Sequence, residues 1–448
     1  MRPLADGDRL LAPIAAAEHL LTQLTSPARL LLAVSGGSDS TGLLLALTDV
    51  IKRHSGPPVT LSAVTIDHGL RAQAADEAQR VAEFCADLAI THVIRRWEGP
   101  KPDTGLSAAA RAARYDLLSS LADETSATAI LTGHTLDDQF ETLFMRGARI
   151  ASDQRAESQS AYSGLGLAGM APAVLLNRRH LLLRPFLQTR RHAIRSYLAE
   201  RGLGWIDDPS NTDARFERAR TRANLAPIDD AQAALQLLKI SLAGKAREKL
   251  ASHAAELLDR HLVVVESVVA RLDAAALSVD PAVLLHALAT LTAVLGGRVH
   301  LPAADSLQRL GAFLAGEASG RLTIGRVLID RRRDALYLVR ESRDLPQQVL
   351  QAGESCLWDG RMRIRNHSNG PVVIGPHDGD RKAAGQRFPN IPSGVAMAGF
   401  RALPQVLREG DRQRQKVTID PVLRPFDHFA GQFDWKLVNS LAMHMGLA

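Results

Sequence analysis

An apolar run that stops at two glycines and resumes as a helix constrains this chain most. Residues 29–34 (RLLLAV) read as a buried strand, residues 35–40 (SGGSDS) as a tight turn, and residues 41–51 as a helix. The alternation continues with a strand over 59–66 and a helix over 75–88, whose apolar stripe is Val81, Phe84, Cys85 and Leu88. A strand over 92–97, a helix over 107–121, a strand over 127–132 and a helix over 136–146 follow. Strands that alternate with helices imply an α/β fold, a parallel sheet covered on both faces. Ligands of such sheets sit outside the carboxyl ends of the strands. Three polar segments fall there: SGGSDS, DHGLR (67–71) and GHTLDDQ (133–139). The active site is expected among them.

SGGSDS has the makings of a phosphate loop. Gly36 and Gly37 let the backbone turn and approach a ligand, and the helix that follows offers unpaired N–H groups to anionic oxygens. Ser35, Ser38 and Ser40 add hydroxyls, and Asp39 is placed to hold a Mg²⁺ that bridges phosphates. The spacing is neither GxxxxGK[ST] nor GxGxxG. An ordinary Gly–Ser turn is the competing reading.

In GHTLDDQFET, Thr135 can cap the helix with Asp138 as its capping-box partner. His134 and Asp138, and likewise Asp137 and Glu141, stand four apart on shared faces. Carboxylates beside a phosphate loop suit a second metal or an incoming ammonium group. Arg111, Arg114 and Tyr115 share one helix face, and Arg215, Arg218 and Arg222 recur at helical spacing on another. Such stripes are ordinarily solvated faces paired with neighbours such as Glu217. Asp207 and Asp208 before Pro209 read as turn residues. His54, His92, His180 and His192 show no metal-ligand spacing.

At 448 residues, two or three domains are expected. The boundaries read as 1–225 for the nucleotide-binding part, 226–320 for an Ala- and Leu-rich helical domain, and 321–448 for a small β-rich domain. A strand over 181–187 and a basic helix over 189–201 close the first part, followed by a segment over 205–222 that turns and then becomes helical. The stretch 151–163 is polar and without period. Net charge is +6 and largely from Arg, which favours a polyanionic partner. Two cysteines without a CxxC pair exclude a Cys-rich zinc site or cluster. Charges interrupt every Leu-rich stretch, so no membrane span is expected, and Asp6, Asp8 and Glu18 argue against a targeting peptide. A cytoplasmic enzyme is the expectation.

Taken in order, the motifs resemble those of the PP-loop ATP pyrophosphatases and, within them, the tRNA(Ile)-lysidine synthases. SGGSDS is similar to the family's SGGxDS, ARAARY (110–115) to A-R-x-x-R-Y, and GHTLDDQFET to HxxDDQxET. DHGLR, GLAGM (166–170), LLRPF (182–186) and WIDDPSN with its later Arg repeats follow in the family order. Ala219 departs from the usual Asn of R-N-R, and the 151–163 stretch lengthens the loop before GLAGM. The last third of the chain matches poorly.

The resemblance implies an N-terminal PP-loop domain, then a helical domain and a small β-rich one. It implies adenylation of the wobble cytidine (position 34) of an isoleucine tRNA with a CAU anticodon. Displacement of AMP by free L-lysine would follow. ATP is then the co-substrate and Mg²⁺ the metal; a homodimer is compatible. Carried onto this chain, Ser35, Gly36, Gly37, Ser38, Asp39 and Ser40 would bind ATP, and Asp39 and Asp138 the metal. Asp39, Asp137, Glu141 and Arg111 would act in catalysis, and Arg114, Arg218 and Arg222 on tRNA. A PP-loop thiolase is the nearest rival and would want reactive cysteines. A small-molecule amide synthetase would not need the basic charge or the later domains. An RNA-binding module would leave the phosphate loop unexplained.

Overall fold

The computed structural model describes residues 9–71, 73–152, 165–207, 217–225, 227–316, 318–407 and 417–447. Most of the polar 151–163 stretch, together with Asp208, Pro209 and Arg215, lies outside them. The described residues divide into two units, one up to Lys245 and one from Ala246 onward.

The first unit runs α1 (Pro13–Thr22), β1 (Ala28–Ala33), α2 (Ser38–Ile51), β2 (Val59–Asp67), α3 (Ala74–Asp87), β3 (Thr91–Arg96), α4 (Leu106–Thr125), β4 (Ala129–Thr132) and α5 (Leu136–Ser152). It continues with β5 (Ala173–Leu176), β6 (His180–Leu183), α6 (Arg191–Ala199), α7 (Glu217–Asn224) and the start of α8 (Asp230–His261). Its strands lie in the order β5-β6-β4-β1-β2-β3. All neighbours are parallel except the β5–β6 hairpin. Leu30, Leu31 and Leu32 are buried, as expected where helices cover both faces of a parallel sheet. Leu43 to Leu47 of α2 are likewise buried. Leu136 of α5 packs with Ala233, Leu237 and Ile240 of α8.

From β1 the chain builds outward through β2 and β3, and then returns to add β4 on the opposite side of β1. The strand order therefore reverses between β1 and β4, where the crevice for ligands opens in sheets of this kind. SGGSDS follows β1 and GHTLDDQ follows β4, so the two motifs flank that point.

In the second unit, β7 (Leu262–Val265), β8 (Val269–Asp273), β9 (Gly320–Ile324), β10 (Val327–Arg331) and β11 (Ala335–Arg340) form an antiparallel sheet. Its order is β7-β8-β11-β10-β9. The helices α9 (Pro281–Leu295) and α10 (Ala304–Ala315) lie between β8 and β9 in sequence. Two three-stranded sheets follow, and their core gathers Trp358, Ile364, Ile374 and Phe388 with Val268 and Val339. The reading of 226–320 as a helical domain does not include β7 and β8. Their valines favour strands, but the runs are four and five residues long and sit among Ala- and Leu-rich helices. The five-stranded sheet joins residues on both sides of position 320, and the division between units falls inside α8. Among the described residues no helix is long and apolar enough to cross a membrane.

Candidate active site

The turn after β1 is folded onto the start of α2 by its own serines. The backbone N–H of Ser35 donates to Ser40 Oγ at 3.1 Å, and Ser40 Oγ donates to the Gly37 carbonyl at 3.2 Å. Gly36 has φ +80°, and a Cβ there would stand 2.6 Å from Ile206 Cδ1. The Gly36 carbonyl accepts from the Ile206 N–H at 2.8 Å, so the segment before Asp207 closes the loop from outside. Gly37 is extended at the N-cap and no side chain caps α2. The first N–H groups of a helix have no partner inside it, and here they form the positive end of the helix dipole at a strand end. That is the geometry of an anion site.

The turn after β4 presses against the same helix start, and Gly133 permits it. Thr135 then opens α5 with the anticipated capping box. Its N–H and hydroxyl donate to Asp138 Oδ2 at 2.8 and 2.9 Å, and the Asp138 N–H points back to Thr135 Oγ1 at 3.4 Å. The remaining Asp138 oxygen accepts from Arg191 Nη2 at 3.1 Å. Burial alone would raise the Asp138 carboxyl; Arg191, His134 and the Thr135 bonds instead hold it below its ordinary value.

Arg191, the first residue of α6, joins three carboxylates. Its Nε donates to Asp39 Oδ2 at 2.9 Å, its Nη2 to Asp138, and its Nη1 to Glu141 Oε1 at 3.3 Å. Burial works against its charge, but Asp138, Asp39 and Glu141 more than restore it and raise its pKa. Asp137 lies beside this knot. One oxygen accepts the Arg191 backbone N–H at 2.7 Å and so caps α6; the other pairs with Arg190 at 3.4 Å. Arg222 of α7 donates from Nε to Glu141 Oε1 at 2.5 Å and from Nη2 to Oε2 at 3.3 Å. Asp39, Asp137, Asp138, Glu141 and Arg222 are therefore brought together, with all four carboxylates engaged by guanidinium groups.

Sequence reasoning missed Arg190 and Arg191. A signal was present: two arginines open a helix whose N-terminal dipole disfavours cations, which calls for carboxylates from elsewhere.

A second cluster is cationic. Arg111 of α4 lies 5.1 Å from the ring centre of buried Tyr115. Burial, with Arg111 and Arg218 nearby, lowers the Arg114 pKa. Arg184, from the LLRPF segment, is buried and donates Nη1 to the Ala171 carbonyl at 2.5 Å. Burial, then Arg184, pushes His134 down to about 3, so its imidazole is neutral at ordinary pH. Arg184, Arg111 and Arg218 thus bring positive charge to a neutral histidine, with Arg114 beside Arg111 and Arg218, an environment suited to phosphate oxygens. Arg218 is exposed on α7, whereas Ala219, at the position of the family's usual Asn, turns inward and is buried.

DHGLR is held by local bonds. Asp67 Oδ1 accepts the Gly69 N–H at 2.7 Å, and Arg71 pairs with Glu77 at 2.9 Å. His92 meets Thr65 Oγ1 at 2.8 Å, a structural contact within the sheet. Among the described residues no group of three His, Cys, Asp or Glu side chains forms a metal cage. Asp39 and Asp138 nevertheless direct one oxygen each at the same guanidinium. Two such oxygens suit a Mg²⁺ completed by phosphate oxygens and water rather than by protein alone.

The chain has well-matched relatives. A family model for a PP-loop domain matches residues 13–228. The tRNA(Ile)-lysidine synthase of Rhizobium meliloti (strain 1021) is 41% identical over 442 residues, covering 96% of this chain and 94% of its own. That of Mesorhizobium japonicum is 38% identical over 428 residues, covering 92% and 91%. Among solved structures, the U34-tRNA thiolase NcsA from Methanococcus maripaludis aligns at 16% identity with a TM-score of 0.39, over 51% of this chain and 77% of that one. The similarity to the synthases runs through both units, and on that ground the chain belongs to the tRNA(Ile)-lysidine synthase family.

Proposed function

We propose that this chain joins the ε-amine of L-lysine to C2 of cytidine 34 in an isoleucine tRNA with a CAU anticodon, using ATP, in the cytoplasm. The carrying observation is the uncapped start of α2 at the strand-order reversal, with the carboxylates of α5 beside it. Cytidine O2 would attack the α-phosphate of ATP and release pyrophosphate. The lysine amine would then attack C2, the C2–O bond would break, and AMP would leave with the former base oxygen while the amine gives up a proton.

The N–H groups of Gly37, Ser38 and Asp39 and the hydroxyls of Ser35, Ser38 and Ser40 receive the triphosphate in this reading. Asp39 and Asp138 would hold Mg²⁺, which neutralises charge on the departing pyrophosphate. Arg111 faces the adenylated base, and Arg114 and Arg218 the tRNA phosphates. Asp137 and Glu141 supply negative charge on the lysine side, and Arg222 fixes Glu141. The Cys85 thiol is buried and pushed up to about 11 by that burial, which disfavours the thiolase alternative.

Incubating the protein with ATP, Mg²⁺ and total tRNA, with and without lysine, tests the reading. AMP should form only with lysine present, and digested RNA should gain the mass of lysine less water at one cytidine. A requirement for a sulfur donor, or turnover on a small carboxylic acid without tRNA, would overturn it.

A further inference from the structure

Asp39, Asp138 and Glu141 carry three negative charges, and Arg191 and Arg222 carry two positive ones. Arg222 is engaged bidentately with Glu141. Without the Arg191 guanidinium, Glu141 would keep a cationic partner, while Asp39 would lose its ion pair and Asp138, still bonded by Thr135, would face no guanidinium closer than Arg222 at 3.6 Å. The two carboxylates come from different helices, α2 and α5, so their convergence belongs to neither helix by itself. Two carboxylates left short of charge in a partly buried crevice match a divalent cation.

We propose that Arg191 is an internal stand-in for the metal: its guanidinium occupies the meeting point of Asp39 and Asp138 and swings away when Mg²⁺–ATP arrives. This rests on the ATP-site reading above and adds a moving part to it. A guanidinium and a divalent cation a few ångströms apart repel strongly in a crevice of low dielectric, and both require the same oxygens. The backbone need not move. Asp137 holds the Arg191 N–H, so only the side chain turns. Its destination is also indicated. Arg195, one turn further along α6, reaches Ser38 Oγ at 3.5 Å, so this face of α6 looks onto the phosphate loop. A guanidinium released there meets triphosphate oxygens, which its planar fork suits.

Manganese, read by electron paramagnetic resonance, is the probe on the full chain without nucleotide. The wild type should bind Mn²⁺ weakly. Arg191→Gln should bind it at least tenfold more tightly, and Arg191→Lys, which keeps a charge but cannot span the carboxylates, should fall between. A folded Arg191→Gln variant that binds Mn²⁺ no better than the wild type overturns the proposal. A second measurement does not need that variant to fold. The Arg191 Nε–H signal of ¹⁵N-labelled wild-type protein, assigned by its loss in Arg191→Lys, should shift when Mg²⁺ and a non-hydrolysable ATP analogue are added; an unmoved signal also overturns it. Analogue binding is recorded on the same samples. If the wild type binds no analogue, the ATP-site reading falls; if it binds the analogue but the Arg191 readouts stay still, only the stand-in falls.

Discussion

A β-carbon on Gly133 would lie 2.9 Å from the backbone nitrogen of Ser40, and 3.0 Å from the carbonyl carbon and oxygen of Asp39. Backbone atoms cannot give way as a flexible side chain can, so Gly133→Ala must push the β4 turn away from the start of α2. Misplacing a positioned group by about 1 Å can cost on the order of 100-fold in rate. AMP formation by Gly133→Ala is expected to fall by one to two orders of magnitude, with far-ultraviolet circular dichroism unchanged. Turnover within twofold of the wild type would mean that the two turns adjust independently.

Arg218 and Arg222 stand four apart on α7 but should respond differently to replacement. Arg218 is exposed, so Arg218→Ala should weaken tRNA binding and reduce its salt-dependence slope by about one for a lost phosphate contact. Arg222 is engaged with buried Glu141, and Arg222→Ala leaves that carboxylate only its longer bond to Arg191. Removing one member of a buried pair costs about 3–5 kcal/mol when the other is left uncompensated, and the remaining Arg191 bond with the partial exposure of Arg222 places this one below that range. Urea unfolding and salt titrations of both variants check the contrast; a slope change in Arg222→Ala with unchanged stability would reverse the assignment.

Acid sensitivity should begin near the ordinary histidine range. Burial and Arg184 hold His134 at about 3, while an unfolded imidazole titrates near 6.5. Between those values the unfolded chain binds a proton that the folded chain refuses. The contribution is therefore fully present above about pH 6.5 and is lost as pH falls, at up to about 1.4 kcal/mol per pH unit. Asp138, held below its ordinary value, adds a loss only at lower pH, in the carboxylate range. His134→Gln should flatten the fall in unfolding free energy between pH 6.5 and 4.5. An unchanged slope would show that the folded protein already protonates His134.

Neither cysteine should matter to turnover. Burial raises the pKa of both thiols, Cys85 to about 11. The doubly substituted Cys85→Ala, Cys356→Ala protein should keep AMP formation within about threefold, the Cys85 change costing some stability because a buried side chain shrinks. Loss of activity in a folded double variant would reopen the thiolase reading.

The first unit was the more legible part because its signals are local. A buried run ending in SGGSDS, and Thr135 with Asp138 three residues later, each announce their structure within a dozen residues. From sequence Arg191 reads only as part of a basic helix, since its partners lie 50 to 152 residues away and no spacing rule links them. The short strand β5 was lost for another reason. Its four apolar residues precede a turn at Asn177 and Arg178, both with positive φ, which the neighbouring arginines disguise. Arg222 stands in the sequence as one of a stripe, but the helical period cannot tell a solvated arginine from one turned toward Glu141.

The pairing of β1 with β4 sets Leu30 against Ala129 and Ala33 against Thr132. The phosphate loop is therefore translated long before the strand that completes its surroundings. Until β4 emerges, a nascent chain has SGGSDS without its Gly133 neighbour, and without α5 and α6 it lacks the carboxylates and the arginine that balances them. Closing so long a loop is entropically costly and slow relative to local helix formation. Nucleotide-binding competence should consequently appear late in synthesis, after most of the first unit has left the ribosome. A fragment ending before β4 would inherit the motif without the site.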